Sequence, residues 1–151
     1  VPKVEKSICI NVPVETAYTL IADQPERMKE WWPPIELQER VTPPPTIIGS
    51  RSQYVYNMLG IKIKGEHEVL QLTPNEHLYV KTLTGIDSTF DFRFERVDST
   101  KTQITISVDY RLPGSVLGRI LDKVLLEREN VKNLEQGLEN LKTILEAETV
   151  S

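Results

Sequence analysis

The apolar residues of this chain pass from an alternating to a long helical period near residue 113, and that change limits the fold more than any other feature. Before it, Phe90, Phe92 and Phe94 alternate with Asp91, Arg93 and Glu95. Ile104, Ile106, Val108 and Tyr110 alternate in the same way with Thr105, Ser107, Asp109 and Arg111. A period of two gives each strand one dry and one wet face, the pattern of an antiparallel sheet solvated on one side. From Ser115 to about Glu148 the spacing turns helical, through Val116, Leu117, Ile120, Leu121, Val124, Leu125, Val131, Leu134, Leu138, Leu141, Ile144 and Leu145. A helix of that length is a rod of about 50 Å. Its wide, one-sided stripe must lie on something flat, and the dry face of the strands is the flat surface on offer.

The remaining segments fit this plan. Val4 to Ile10 alternates as a first strand. Pro13 then suits an opening helical turn, and Val14, Ala17, Tyr18, Ile21 and Ala22 follow at helical spacing. Asp23-Gln24-Pro25 breaks that helix and starts a second, which ends at Trp31-Trp32 before Pro33-Pro34. Six more strands are predicted, over Ile35–Thr42, Ser50–Asn57, Ile61–Leu72, Glu76–Leu83, Asp87–Val97 and Thr102–Leu112, with short links rich in Gly, Pro, Asn and Asp. The expected fold is α+β: a curved, seven-stranded antiparallel sheet around a long C-terminal helix, with two short helices after strand 1. A strongly curved sheet cannot close everywhere on one helix, so a cavity between them is expected.

Size and charge narrow the function. At 151 residues the chain 1–151 reads as one domain. Its 18 basic and 22 acidic side chains give a net charge of −4, which argues against nucleic acid as a partner because phosphate binding needs a basic footprint. Cys9 is the one cysteine and His67 and His77 are the two histidines, too few for a multi-cysteine or histidine-based metal centre. No phosphate loop, nucleophile elbow or calcium loop is found, so neither metal nor cofactor is expected. The charged N-terminus runs directly into a strand and no apolar run reaches the roughly 18 residues of a membrane span. The reading is a cytoplasmic protein without stable membrane insertion, a monomer or weak homodimer.

Several stretches carry a family resemblance: "VEKSICINVPVETAYTLIAD" at 4–23, "MKEWWPPI" at 28–35, "GIKIKGEHEVLQLTPNEHL" at 60–78, "FDFRFE" at 90–95 and "LEQGLENLKTILE" at 134–146. With the order of elements, they make the chain resemble the helix-grip fold of the START-like, birch-pollen-allergen-like superfamily. The phrasing is similar to its bacterial branch of polyketide cyclase/dehydrase or coenzyme-Q-binding-like proteins. That resemblance implies an internal hydrophobic cavity for a lipid, isoprenoid or quinone, polyketide or other apolar molecule, bound for transport, storage or presentation. The alternatives are a cyclase, aromatase or dehydratase, and a protein-interaction module. A fold hosts many functions, so the site is argued from residues.

The expected cavity wall comprises Trp31, Trp32, Tyr54, Tyr56, His67, Phe90, Phe92, Tyr110, Leu121, Val124 and Glu127, with few polar groups among them. The two indoles either stack on a ligand or pack the short helices onto the sheet. Tyr54 and Tyr56 share a strand face with Ser52, and serve either as cavity wall or as ordinary sheet packing. His67 has the inward parity of Ile61, Ile63 and Val69, but Gly65 just before it is a place for a bulge that would turn it outward. Inside, a neutral imidazole is either a satisfied structural group or a base facing the ligand. Glu127 falls where the helical stripe demands an inward residue, as an ion pair with Arg128, Arg119 or the sheet, or as a polar anchor in the cavity. Gly137 is explained by close approach of helix to sheet, and Gly114 and Gly118 flank the helix start. No catalytic residue is assigned.

Overall fold

The computed structural model describes residues 3–112, 114–120 and 123–149. Seven strands form one antiparallel sheet: β1 (Lys3–Ile10), β2 (Ile35–Arg40), β3 (Arg51–Met58), β4 (Ile61–Thr73), β5 (His77–Thr84), β6 (Asp87–Asp98) and β7 (Lys101–Arg111). Their order across the sheet is β1-β7-β6-β5-β4-β3-β2. The first two strands of the chain are therefore the two edges, and the helical link between them has to pass across the concave side. It does so as α1 (Val14–Tyr18), a π-helical turn over Thr19–Asp23, a 3₁₀ turn over Pro25–Arg27 and α2 (Met28–Trp31). Val14, Ala17, Tyr18, Leu20, Ile21, Ala22, Met28 and Trp31 are buried along it.

Alternation holds where the sequence shows it. On β3, Ser52, Tyr54, Tyr56 and Met58 are buried and their neighbours are not. On β7 every second residue from Thr102 to Tyr110 is buried. Four irregularities interrupt the ladders, one of them at Val97 near the end of β6. In β2, Ile35 pairs with Tyr56 but Leu37 with Val55, so Glu36 is the extra residue. Between β4 and β5, Leu83 is extra on one strand and Leu70 on the other, as the pairs Glu66–Thr84, His67–Thr82, Val69–Val80 and Gln71–Tyr79 show. Leu70 and Leu83 both face solvent.

The C-terminal helix corrects one expectation. In place of a single rod from Ser115, the chain makes a short α3 (Gly114–Leu117), a turn, and then α4 (Lys123–Thr149). The turn is closed by Gly118 N–H to the Gly114 carbonyl at 3.1 Å and Arg119 N–H to the Val116 carbonyl at 3.0 Å. Two glycines four apart, each costing about 1 kcal/mol relative to alanine inside a helix, make the break cheap.

The last four turns of α4 are firmly held. Leu134, Leu138, Leu141 and Leu145 are buried. Asn140 Nδ2 donates to the Trp31 carbonyl at 3.1 Å, and Asn11 N–H donates to Glu146 at 2.9 Å. Arg27 on the short-helix link pairs with Glu148 at 2.5 Å. Gly137 sits against α2, not the sheet as the sequence reading had it: a Cβ there would lie 2.9 Å from Cε3 of Trp32.

Candidate functional site

Beneath α2 and α4 the sheet encloses a cavity of about 80 Å³. Trp31, Trp32, Phe90 and Phe92 form its aromatic wall. Trp31 meets Phe92 edge-on at 6.3 Å between centroids, and Trp32 meets Phe90 at 5.6 Å. Such T-shaped pairs contribute beyond their buried area, so this wall is well fixed. The Trp31 Nε1 is nonetheless buried without a hydrogen-bond partner, while that of Trp32 reaches toward the Tyr56 hydroxyl.

Across the sheet, beside this wall, runs a row of polar side chains of which sequence reasoning placed only His67 and Tyr110 in the cavity. Arg40 lies beside Ser52 in the β2–β3 register, Ser52 beside His67 in β3–β4, and His67 beside Thr82 in β4–β5. Thr82 Oγ1 accepts from Ser88 N–H at 2.8 Å, and Ser88 is opposite Tyr110 in β6–β7. Asn130 of α4 completes the row, its Nδ2 donating to the Tyr110 hydroxyl. All seven side chains line the cavity. The expectation of few inward polar groups is therefore corrected: one polar ribbon crosses six strands.

His67 is turned inward, as its parity required. The bulge beside Gly65 puts its extra residue, Leu83, on β5, so the parity of β4 is kept, and Gly65 itself makes room. A Cβ there would lie 2.3 Å from the Thr84 carbonyl and 2.4 Å from the Tyr54 hydroxyl. That hydroxyl donates to the Thr84 carbonyl at 2.9 Å and accepts from Ile86 N–H at 3.1 Å, so Tyr54 ties down the β5–β6 turn and offers the cavity only its ring. The ring stacks on His67 at 5.8 Å. Burial pushes the His67 imidazole down to about 4, which keeps it neutral at pH 7. His77 is on the outer face, its Nε2 at 2.8 Å from Asp91.

At the β2 end, Gln38 is buried and its Oε1 has no hydrogen-bond partner. The Arg40 guanidinium donates to the Asp23 carbonyl at 3.3 Å and to Thr46 Oγ1 at 3.1 Å, while its Nε is buried and unpartnered. At the other end burial raises the pKa of Tyr56 and Tyr110, so both stay protonated donors. Tyr56, Met58 and Asn130 also border a second hollow of about 340 Å³, outside, between the β3–β4 turn and α4. These three side chains are the partition between the hollows.

Of the residues expected in the wall, Trp31, Trp32, Tyr54, Tyr56, His67, Phe90, Phe92 and Tyr110 line the cavity. Val124 and Glu127 do not: both side chains are exposed on α4. The break after α3 resets the helical phase, and the inward line runs Leu126, Asn130, Leu134, Leu138, in steps of four. Leu121 lies outside the described residues. The polar group that α4 brings to the cavity is Asn130. Among the described residues, no group of His, Cys, Asp and Glu is placed to hold a metal ion, and no helix is long and apolar enough to cross a membrane.

A family model described as "Polyketide cyclase / dehydrase and lipid transport" matches residues 1–146. The chain belongs to that family. No curated protein matches it. Among solved structures, TTHA0849 from Thermus thermophilus is 20% identical with a TM-score of 0.79, covering 98% of this chain and 99% of its own. The Zhui aromatase/cyclase from Streptomyces sp. R1128 is 17% identical with a TM-score of 0.76, over 96% and 93% of the two chains. A START superfamily protein from Mycobacterium smegmatis is 15% identical with a TM-score of 0.73, over 97% and 99%. At these identities the likeness is one of fold.

Proposed function

We propose that this protein binds a hydrophobic small molecule in the cavity between its sheet and α4, as a carrier, store or presenting protein, without chemical change to the ligand. One observation carries the reading: a mostly apolar interior holds hydrogen-bonding groups that the protein itself leaves unused, at Trp31 Nε1, Gln38 Oε1 and Arg40 Nε. Each such group costs about 1–3 kcal/mol unless something pairs with it. Ligand pockets have this composition, apolar walls with a few polar groups that fix orientation. In the family reading the ligand is a lipid, quinone or polyketide, and the protein is a single cytoplasmic domain, monomeric or weakly dimeric.

The present void of about 80 Å³ is smaller than the roughly 150 Å³ that takes up benzene. A ligand of lipid size therefore has to part Tyr56, Met58 and Asn130, which joins the interior to the outer hollow of about 340 Å³. Met58 is suited to this because its unbranched thioether repacks easily.

Native mass spectrometry of the purified protein, followed by organic extraction and by titration with a lipid, quinone and aromatic polyketide panel, tests the reading. The expected result is a co-purified apolar molecule or saturable binding of at least one panel class. Absence of both overturns it.

A second reading rests on His67. Its ring is neutral, faces the void, and has no hydrogen bond to another described residue, as a general base for a cyclase or dehydratase requires. Under that reading, His67→Ala abolishes turnover of a bound polyketide and leaves its binding in place.

A further inference from the structure

We infer that the ligand ends in a single negatively charged group, a carboxylate, seated at the β2 end of the cavity against Arg40. This rests on the binding reading above and specifies its chemistry. Arg40 makes no ion pair with any described carboxylate, and no Asp or Glu lines the cavity. The other cation of the lining, Arg51, is paired with Glu66 at 2.9 Å. His67 contributes no charge. Half-buried Arg40 thus brings to the cavity lining one positive charge that no described carboxylate pairs with.

The unpaired geometry repeats that conclusion. A guanidinium offers five N–H donors in a planar fork. Here two go to neutral oxygens, the Asp23 carbonyl and Thr46 Oγ1, and the buried Nε–H goes to none. A buried N–H without a partner is costly, and a carboxylate matches the fork with two parallel hydrogen bonds. Beside it, Gln38 is 3% exposed with its amide oxygen unpartnered. Turning that amide about its last torsion presents its NH₂ to the same anion, since the two ends are alike in shape. A phosphate monoester, with up to two charges, exceeds the one charge available. The apolar remainder of the ligand then runs along the row toward Trp32 and Tyr56.

The test compares acids with their uncharged counterparts: dodecanoate and 2-naphthoate, each against its methyl ester, with dodecyl phosphate as a further arm. Titration calorimetry at pH 7.4 uses the wild type, Arg40→Gln and Arg40→Lys. Wild type is expected to favour at least one acid over its ester by about tenfold or more, the size of a charge-assisted hydrogen bond. It is also expected to bind dodecanoate at least as tightly as the phosphate. Arg40→Gln brings the acid-to-ester ratio close to one without weakening the ester, and Arg40→Lys keeps part of the preference. Equal binding of acid and ester by wild type overturns the carboxylate while leaving the cavity reading intact, and needs no variant to fold. So does a preference that survives in Arg40→Gln, or a clear preference for the phosphate. If neither acids nor esters nor the wider panel bind, the cavity reading fails and takes this inference with it.

Discussion

Two halves of the same interior are built on opposite terms. Under the last turns of α4, Ile10, Val12, Ile104, Ile106, Leu134, Leu141 and Leu145 are almost completely buried. The polar residue among them, Thr102, is bonded to the Val12 carbonyl at 2.8 Å. Under the β2–β5 half, buried polar atoms stand unpaired around a void. One half is closed on itself as protein interiors normally are. The other has kept hydrogen-bonding capacity at the expense of stability, which is what a site for something else looks like.

Four measurements sharpen that contrast, from the largest expected effect to the smallest. Leu141→Ala, in the closed half, should lower stability to denaturant by about 2–5 kcal/mol, since the packed surroundings collapse little. A loss below about 1 kcal/mol would mean that this half is no better packed than the other.

Acid acts on the open half through His67. Its folded pKa of about 4 lies below the ordinary 6.5, so between these values the unfolded chain binds more protons than the folded one. Stability is therefore complete above pH 6.5 and falls as pH drops toward 4. At about 1.4 kcal/mol per pH unit the loss attributable to His67 is up to about 3 kcal/mol. His67→Gln should flatten that stretch of the stability–pH curve, and an unchanged curve would place the imidazole in water.

Gln38→Leu replaces an unpaired buried amide with an apolar side chain of similar size. The variant should be more stable by about 1 kcal/mol, because an unsatisfied polar group carries a desolvation penalty that its apolar replacement does not. A lowered melting temperature would show that the amide is satisfied in solution. Val124→Ala, on the exposed start of α4, should change stability by less than about 0.5 kcal/mol. A larger loss would show that this end of the helix is covered.

The sheet was legible because seven alternating segments and a helical stripe can be combined in few ways. Eight wall residues were legible for the same reason, parity on β3, β4, β6 and β7 together with the pair Trp31-Trp32. Arg40 and Gln38 were missed because Ile35 and Leu37 look like the inward pair of β2. Glu36 bulges between them, which sends Leu37 to solvent and turns Gln38 and Arg40 inside. A bulge is a property of two paired strands, so one strand's letters do not show it. Glu127 was misplaced by counting helical phase through Gly118, where the helix stops. The cue available was the glycine pair itself, and with the count restarted after it, Asn130 falls in line between Leu126 and Leu134.

The same bulge has a consequence for how copies of this protein meet one another. β2 is a sheet edge, and an exposed edge is a template on which a second chain can add a strand and begin an aggregate. The extra residue at Glu36 breaks the regular row of edge donors and acceptors, and its carboxylate is held by Asn57 at 2.9 Å and Lys62 at 3.3 Å. Pro33-Pro34 stand just before the strand and Pro43, Pro44 and Pro45 soon after it, each unable to donate a ladder hydrogen bond. A single irregularity thus keeps the edge from recruiting another molecule while it aims an arginine at the inside of its own.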